Sequence, residues 1–351
     1  MKLFKLLLVT TLAFFFSNCE DKPIPANELF DLSIKNIKKT YISNDSFTFS
    51  VVNRKSTAID SIVYFLNSEK ITSKKGISEE TFSLKNQKLG HRSLIAKIYS
   101  EGHTYEVSKK ITLLSTIKPE VYTYKILEEY PHDSKAYTQG LEFFNETLYE
   151  STGQYKESSL RKTNYKTGEV INKVPLADAF FGEGLTILNN KIYQLTWREK
   201  TGFIYDLNTL EKTGSFVYGK SKEGWGLCND GTQIYKSDGT QKIWKLNPNT
   251  LGEKDYIEIF TNTSQIKSVN ELEWVEGKIY ANIFLKDAVA IVNPINGAVE
   301  GVIDFTSLKN HVSEHKEDEV LNGIAYKGEP NILYITGKNW DKLFKVEIIK
   351  K

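Results

Sequence analysis

The chain has 351 residues, enough for two separate cores, and its 46 basic and 44 acidic residues leave a formal charge of +2. No stretch supplies the basic face that a nucleic-acid binder usually carries, so nucleic acid is not an expected partner. Nineteen Tyr, 19 Phe and 5 Trp beside a single Met favour a strand-rich fold and an aromatic-lined pocket.

At the N-terminus, MKLFKLLLVTTLAFFFSNC sets two lysines before an apolar run from Leu6 to Phe16. The run is short for a membrane span and reads as an export signal over residues 1–18. Cys19 at its end resembles the lipidated cysteine of bacterial lipoproteins, with Phe16 and Asn18 departing from the usual small-residue pattern. The alternative is a cleaved signal followed by an incidental cysteine. A lipid on Cys19 would anchor an exported protein to a membrane of the cell envelope, or leave it in the periplasm, without spanning. Cys228 is the only other cysteine, so no disulfide framework is expected and the fold must hold by its own core.

Residues 19–28 form a polar, proline-containing tether. Over 29–117 the runs SFTFSVV, DSIVYFLN, EETFSL, RSLIAKIYS and YEVSKKITLL alternate polar and apolar between turn residues. That spacing predicts a small antiparallel β-sandwich of immunoglobulin-like size, with a spacer or docking role.

The segment 121–351 repeats. QGLEFFNETLY (139–149), EGLTILNNKIY (183–193), WGLCNDGTQIY (225–235), NELEWVEGKIY (270–280) and NGIAYKGEPNILY (322–334) each give a lead residue, a short strand, a turn and a strand ending in Tyr. The lead residues Gln139, Glu183, Trp225, Asn270 and Asn322 are spaced 42 to 52 residues apart. Three to four strands per unit at this period predict an all-β fold, a five-bladed β-propeller after the sandwich. The strand-like 121–130 is expected to add the outer strand of the last blade and lock the ring.

In a propeller the lead residues converge on one end of the central channel. Glu183, between Gly182 and Gly184, then faces a narrow funnel; read alone, FGEGLT is equally a solvent-facing turn. A carboxylate there loses hydration, which raises its pKa and suits it to acid–base work. Its glycines allow close backbone packing and leave access for a ligand. Trp197 and Trp225 are candidate walls, whereas Trp274 and Trp340 read as core. Lys338 in ITGKNW is positioned near the funnel and could stabilise an oxyanion, with a plain surface lysine as the alternative. His311 and His315 lie in a charged insertion and read as solvated. No zinc spacing, nucleophile elbow or phosphate loop is present. No metal or cofactor is therefore required; a structural calcium ion is compatible with the sequence but not indicated by it.

AYTQGLEF, LYESTGQYKESSLR, FGEGLT, YQLTW, EGWGL, SDGT, NELEWVEGKIYAN, LNGIAY and ITGKNW, in this order, resemble the plant/bacterial-type glutamine cyclotransferases. The resemblance covers residues 121 to 347 and leaves out the sandwich. It implies a five-bladed propeller that converts an N-terminal glutamine of peptides or proteins to pyroglutamate and releases ammonia. It implies Glu183 as the catalytic acid–base, and Asn270 and Lys338 as substrate-binding and oxyanion-stabilising groups. Gln139, Phe181, Trp197 and Trp225 match the lining of the substrate channel, and Asn322 joins them as a lead residue. Where relatives read A-N-x-W this chain reads ANIF, so Phe284 keeps an aromatic wall without an indole N–H. A monomer is expected. The competing reading is a noncatalytic peptide-binding propeller lipoprotein, and fold alone does not choose between them. A sugar-active propeller lyase or hydrolase would need more carboxylates or histidines at the lead positions.

Overall fold

The computed structural model describes residues 24–313 and 316–351, so Cys19, His315 and the signal segment lie outside the described residues. Strands dominate; the helices among the described residues are single turns, Ala26–Leu29 and Leu308–His311.

In the N-terminal region the alternating runs become strands that bury every second residue. Phe47, Phe49 and Val51 point inward from Ser46–Asn53, and Ile62, Tyr64 and Leu66 from Ser61–Leu66. A three-stranded sheet (Phe30–Ile34, Ser46–Asn53, Glu80–Ser83) and a five-stranded sheet around Gly90–Ser100 share one apolar cluster. Phe260 and Ala298 from the C-terminal region belong to that same cluster, so the two regions are packed together. The junction is also hydrogen-bonded. Leu89 N donates to Asn296 O at 3.0 Å, Ser115 N to Thr261 O at 3.1 Å and His91 N to the Glu258 carboxylate at 2.7 Å.

After Glu120 the chain forms three four-stranded antiparallel sheets, running from Thr138–Phe144 to Glu169–Pro175, from Gly182–Leu188 to Lys212–Val217 and from Leu227–Asn229 to Glu253–Glu258. An eight-stranded sheet completes the region. At its middle, Glu120–Pro131 pairs antiparallel with the C-terminal strand Lys342–Lys350 and parallel with Val299–Asp304. The expected strand at 121–130 thus sits beside the last strand of the chain.

The first strands of the successive repeats lie side by side. Their closeness needs glycine: a Cβ on Gly140 would come within 2.5 Å of Leu185 N, and one on Gly184 within 2.5 Å of Trp225 O. Gly184 N donates to that same Trp225 O. Buried carboxylates join neighbouring first strands. Glu142 accepts from Thr186 Oγ1 at 2.7 Å and Ile187 N at 3.1 Å, Glu271 from Ile324 N at 3.0 Å and Glu273 from Tyr326 N at 2.8 Å.

Candidate active site

Four of the five lead residues sit in β-bulges. In Gly182–Leu188 the pairing jumps from Gly182↔Thr196 to Leu185↔Gln194, leaving Glu183 and Gly184 outside the ladder. Similar jumps free Gln139, Asn270 and Asn322. A bulge breaks the two-residue alternation and re-aims a side chain, here toward the space enclosed by the first strands.

That space is a cavity of about 190 Å³ lined by Gln139, Phe181, Glu183, Trp197, Trp225, Asn270, Phe284 and Lys338, together with Tyr137 and Gln154. The volume is below the ~300–1,000 Å³ of sites for drug-sized ligands and suits a single side chain and its backbone. Its walls are aromatic. Phe181 lies 5.4 Å from the Trp197 ring centre, and Phe284 stands perpendicular to Trp225 at 5.5 Å.

The polar floor is a one-way chain of amides. Asn270 Nδ2 donates to Asn322 Oδ1 at 2.9 Å, Asn322 Nδ2 to Gln139 Oε1 at 3.0 Å, and Gln139 Nε2 to Glu183 Oε1 at 3.0 Å. Each amide uses its donor on the next acceptor, so the orientation of all three is fixed and the last donor falls on the carboxylate. Glu183 is only 4% exposed, and its second oxygen, Oε2, is buried without a hydrogen-bond partner. Burial pushes the Glu183 carboxyl well above the usual carboxylate range; the Lys338 ammonium opposes this, and Glu223 and Glu199 add to it. An acid that holds its proton more tightly, with one oxygen unpartnered in a residue that lines a cavity, can both take and return a proton near neutral pH.

Lys338 follows the strand Ile332–Gly337 and is 4% exposed. Its Nζ lies 4.8 Å from the Tyr137 ring centre and 4.9 Å from that of Phe284, a cation between two π faces. Burial lowers its pKa, and the negative charges of Glu183 and Asp318 work against that. No ion pair joins Lys338 to Glu183 among the described residues, and both line the same cavity.

Of the nine residues expected at the site, eight line the cavity. Asn322 is not among the lining: it is fully buried and holds Asn270 and Gln139 in register. Trp340 is core, 2% exposed, and Trp274 stacks on Tyr235 at 5.6 Å. His311 is about half exposed. Three contributors went unread in the sequence: Tyr137, Gln154 and Glu223. Tyr137 lies two residues before a lead position, and Gln154 holds a positive φ of 84° just after a second strand. Glu223 accepts both pocket indoles, from Trp197 Nε1 at 3.0 Å and from Trp225 Nε1 at 2.9 Å. Its position two residues before Trp225 was the available signal.

Comparison with known proteins gives the same picture. Residues 95–348 match the family described as glutamine cyclotransferase. A glutaminyl-peptide cyclotransferase of Arabidopsis thaliana is 37% identical over 227 residues, 64% of this chain and 71% of that protein. The crystal structure of Myxococcus xanthus glutaminyl cyclase superposes with a TM-score of 0.63 at 31% identity, covering 67% of this chain and all of the other. The family match starts inside Gly90–Ser100, so most of the N-terminal region stands apart from it. With well over half of its length matched, the chain belongs to the glutamine cyclotransferase family.

Proposed function

We infer that this chain is a glutaminyl-peptide cyclotransferase, which cyclises the N-terminal glutamine of a peptide or protein to pyroglutamate with loss of ammonia. The observation that carries the reading is the buried, unpartnered Oε2 of Glu183, a residue that lines a side-chain-sized cavity together with Lys338. The substrate's α-amine nitrogen attacks its own γ-carboxamide carbon, a C–N bond forms and the bond to the amide NH2 breaks. Glu183 takes the proton from the attacking amine and hands it to the departing nitrogen, so ammonia leaves neutral. Lys338 and Asn270 stabilise the oxygen that becomes negative in the tetrahedral intermediate. The aromatic walls hold the side chain folded back on the amine, which converts chain flexibility into proximity. The step asks for no cofactor. A noncatalytic peptide-binding protein is not favoured, because family membership and the acid–oxyanion pair both point to chemistry.

The same reading extends to architecture. The four-stranded groups after Glu120 are proposed as five blades of a propeller over 121–351, with Lys342–Lys350 and Glu120–Pro131 in the last. Residues 29–117 are proposed as an immunoglobulin-like sandwich, 19–28 as a tether and 1–18 as a signal peptide. A monomer held at an envelope membrane by a lipid on Cys19 completes the proposal; fatty-acid labelling that survives Cys19→Ala would overturn the anchor. The function is tested by ammonia release from short Gln-initiated peptides. Release by the wild-type chain and its loss in Glu183→Gln are expected. Full activity in that variant would remove Glu183 from the mechanism.

A further inference from the structure

Resting on the cyclotransferase reading, we propose that Glu223 is a positioning residue that clamps Trp197 and Trp225 at a fixed separation and so sets the width of the slot for the substrate's side chain. Its Oε2 accepts both indole N–H groups, while Oε1 accepts from Arg198 Nε at 3.3 Å. The Arg198 guanidinium lies over the same indole, 3.6 Å from the Trp197 ring centre. One carboxylate therefore fixes two pocket walls that come from different repeats.

Glu223 is itself held from below. Lys236 Nζ donates to Glu223 O at 2.8 Å and to Glu253 Oε1 at 3.0 Å, and the side chains of Lys236 and Glu253 are wholly buried. Glu253 Oε2 accepts the backbone N–H groups of Lys220 and Ser221, each at 2.7 Å. The loop bearing Glu223 is thus tied to a buried ion pair, and the indoles register against a fixed point. Such support costs desolvation and is justified where geometry must not drift. The clamp also carries charge toward the reaction. Glu183 is faced by Lys338, Glu223, Glu199 and Lys236, and Glu223 is the first of the negative groups that make its proton harder to remove.

The test compares Glu223→Gln with Glu223→Leu in the full chain. Glutamine keeps an acceptor oxygen for the indoles but not the charge; leucine keeps neither. Glu223→Leu is expected to raise KM for a Gln-initiated tripeptide by about tenfold, the equivalent of one lost hydrogen bond's worth of positioning, with a smaller change in kcat. Two of the five indole N–H resonances in a 15N spectrum should move with it. Glu223→Gln is expected to hold KM and the two indole resonances near wild type while the rising pH limb of kcat shifts to lower pH. Unmoved indole resonances or an unchanged KM in Glu223→Leu would overturn the proposal, as would Glu223→Gln raising KM as much as Glu223→Leu. If the wild-type chain releases no ammonia, the cyclotransferase reading falls, and the indole spectra still decide whether the clamp exists.

Discussion

Two sets of buried glutamates share the first strands of the repeats and do opposite things. Glu183 lines the cavity, with one oxygen bound by Gln139 and the other buried without a partner. Glu142, Glu271 and Glu273 spend their oxygens on backbone N–H groups of the neighbouring first strand. All four have raised pKa values, and for all four burial is the largest cause. A perturbed carboxyl therefore does not by itself mark a reacting one. The mark is a carboxyl that lines a cavity and keeps one oxygen without a partner.

The sharpest way to break that distinction is to neutralise Glu183. Glu183→Gln is predicted to lower kcat by about 10²- to 10⁴-fold, the usual range for a lost acid–base group. Its melting temperature should hold or rise: a carboxyl whose folded pKa is raised stabilises the fold fully only below its unfolded pKa, and that contribution is lost as pH rises. A thermal melt that falls by several degrees would make Glu183 a strut like the others. Lys338→Met tests the partner charge, with an expected loss of about 10²- to 10³-fold in kcat from a missing oxyanion stabiliser. A change confined to KM would instead assign Lys338 to ground-state binding.

Smaller effects should appear on the strut side. Glu271→Ala leaves the Ile324 N–H without its acceptor and is predicted to cost about 1–3 kcal/mol in denaturant unfolding, with the activity of the folded fraction retained. Lost activity at unchanged stability would merge the two sets. The mildest prediction concerns pH. Glu142 is half-buried by surface area, yet its carboxyl is enclosed by protein and its pKa is pushed up to about 8. It stays protonated in the fold after its unfolded counterpart has ionised. Its contribution to stability is present below the ordinary glutamate value of 4.5 and is lost as pH rises through about 8. Glu142→Gln should flatten that decline in a pH series of unfolding curves.

The repeat made the direction of the lead residues legible, since five copies at a common period give five equivalent positions and a channel for them to face. The identity of the lining followed from the same alignment and the family motifs. What stayed hidden depends on contacts between copies. Nothing in the residue types of NELEW separates Glu271 and Glu273, which join strands, from Glu183, which does not. The bulges that turn Gln139, Glu183, Asn270 and Asn322 inward are register jumps, visible only once two strands are paired. Asn322 looked like a lining residue because it leads a repeat, yet the amide chain draws it behind Asn270 and Gln139. Glu223 acts through two tryptophans from different repeats, a relation that no single motif contains.

The strand Glu120–Pro131 carries a consequence for synthesis. It is made early, yet its antiparallel partner Lys342–Lys350 is made only after the other strands of the region. The contact joins the two most distant ends of the C-terminal region, so its loop-closure entropy must be met before the pairing gives anything back. Until then Glu120–Pro131 waits as an open edge, rich in the β-branched and aromatic residues that recruit other strands. Its Lys125, Glu128 and Glu129 place charges along that waiting edge, and in the finished fold Glu129 pairs with Lys342 at 2.7 Å. The same charge that guards the unfinished chain against a foreign strand recognises the right one when it arrives.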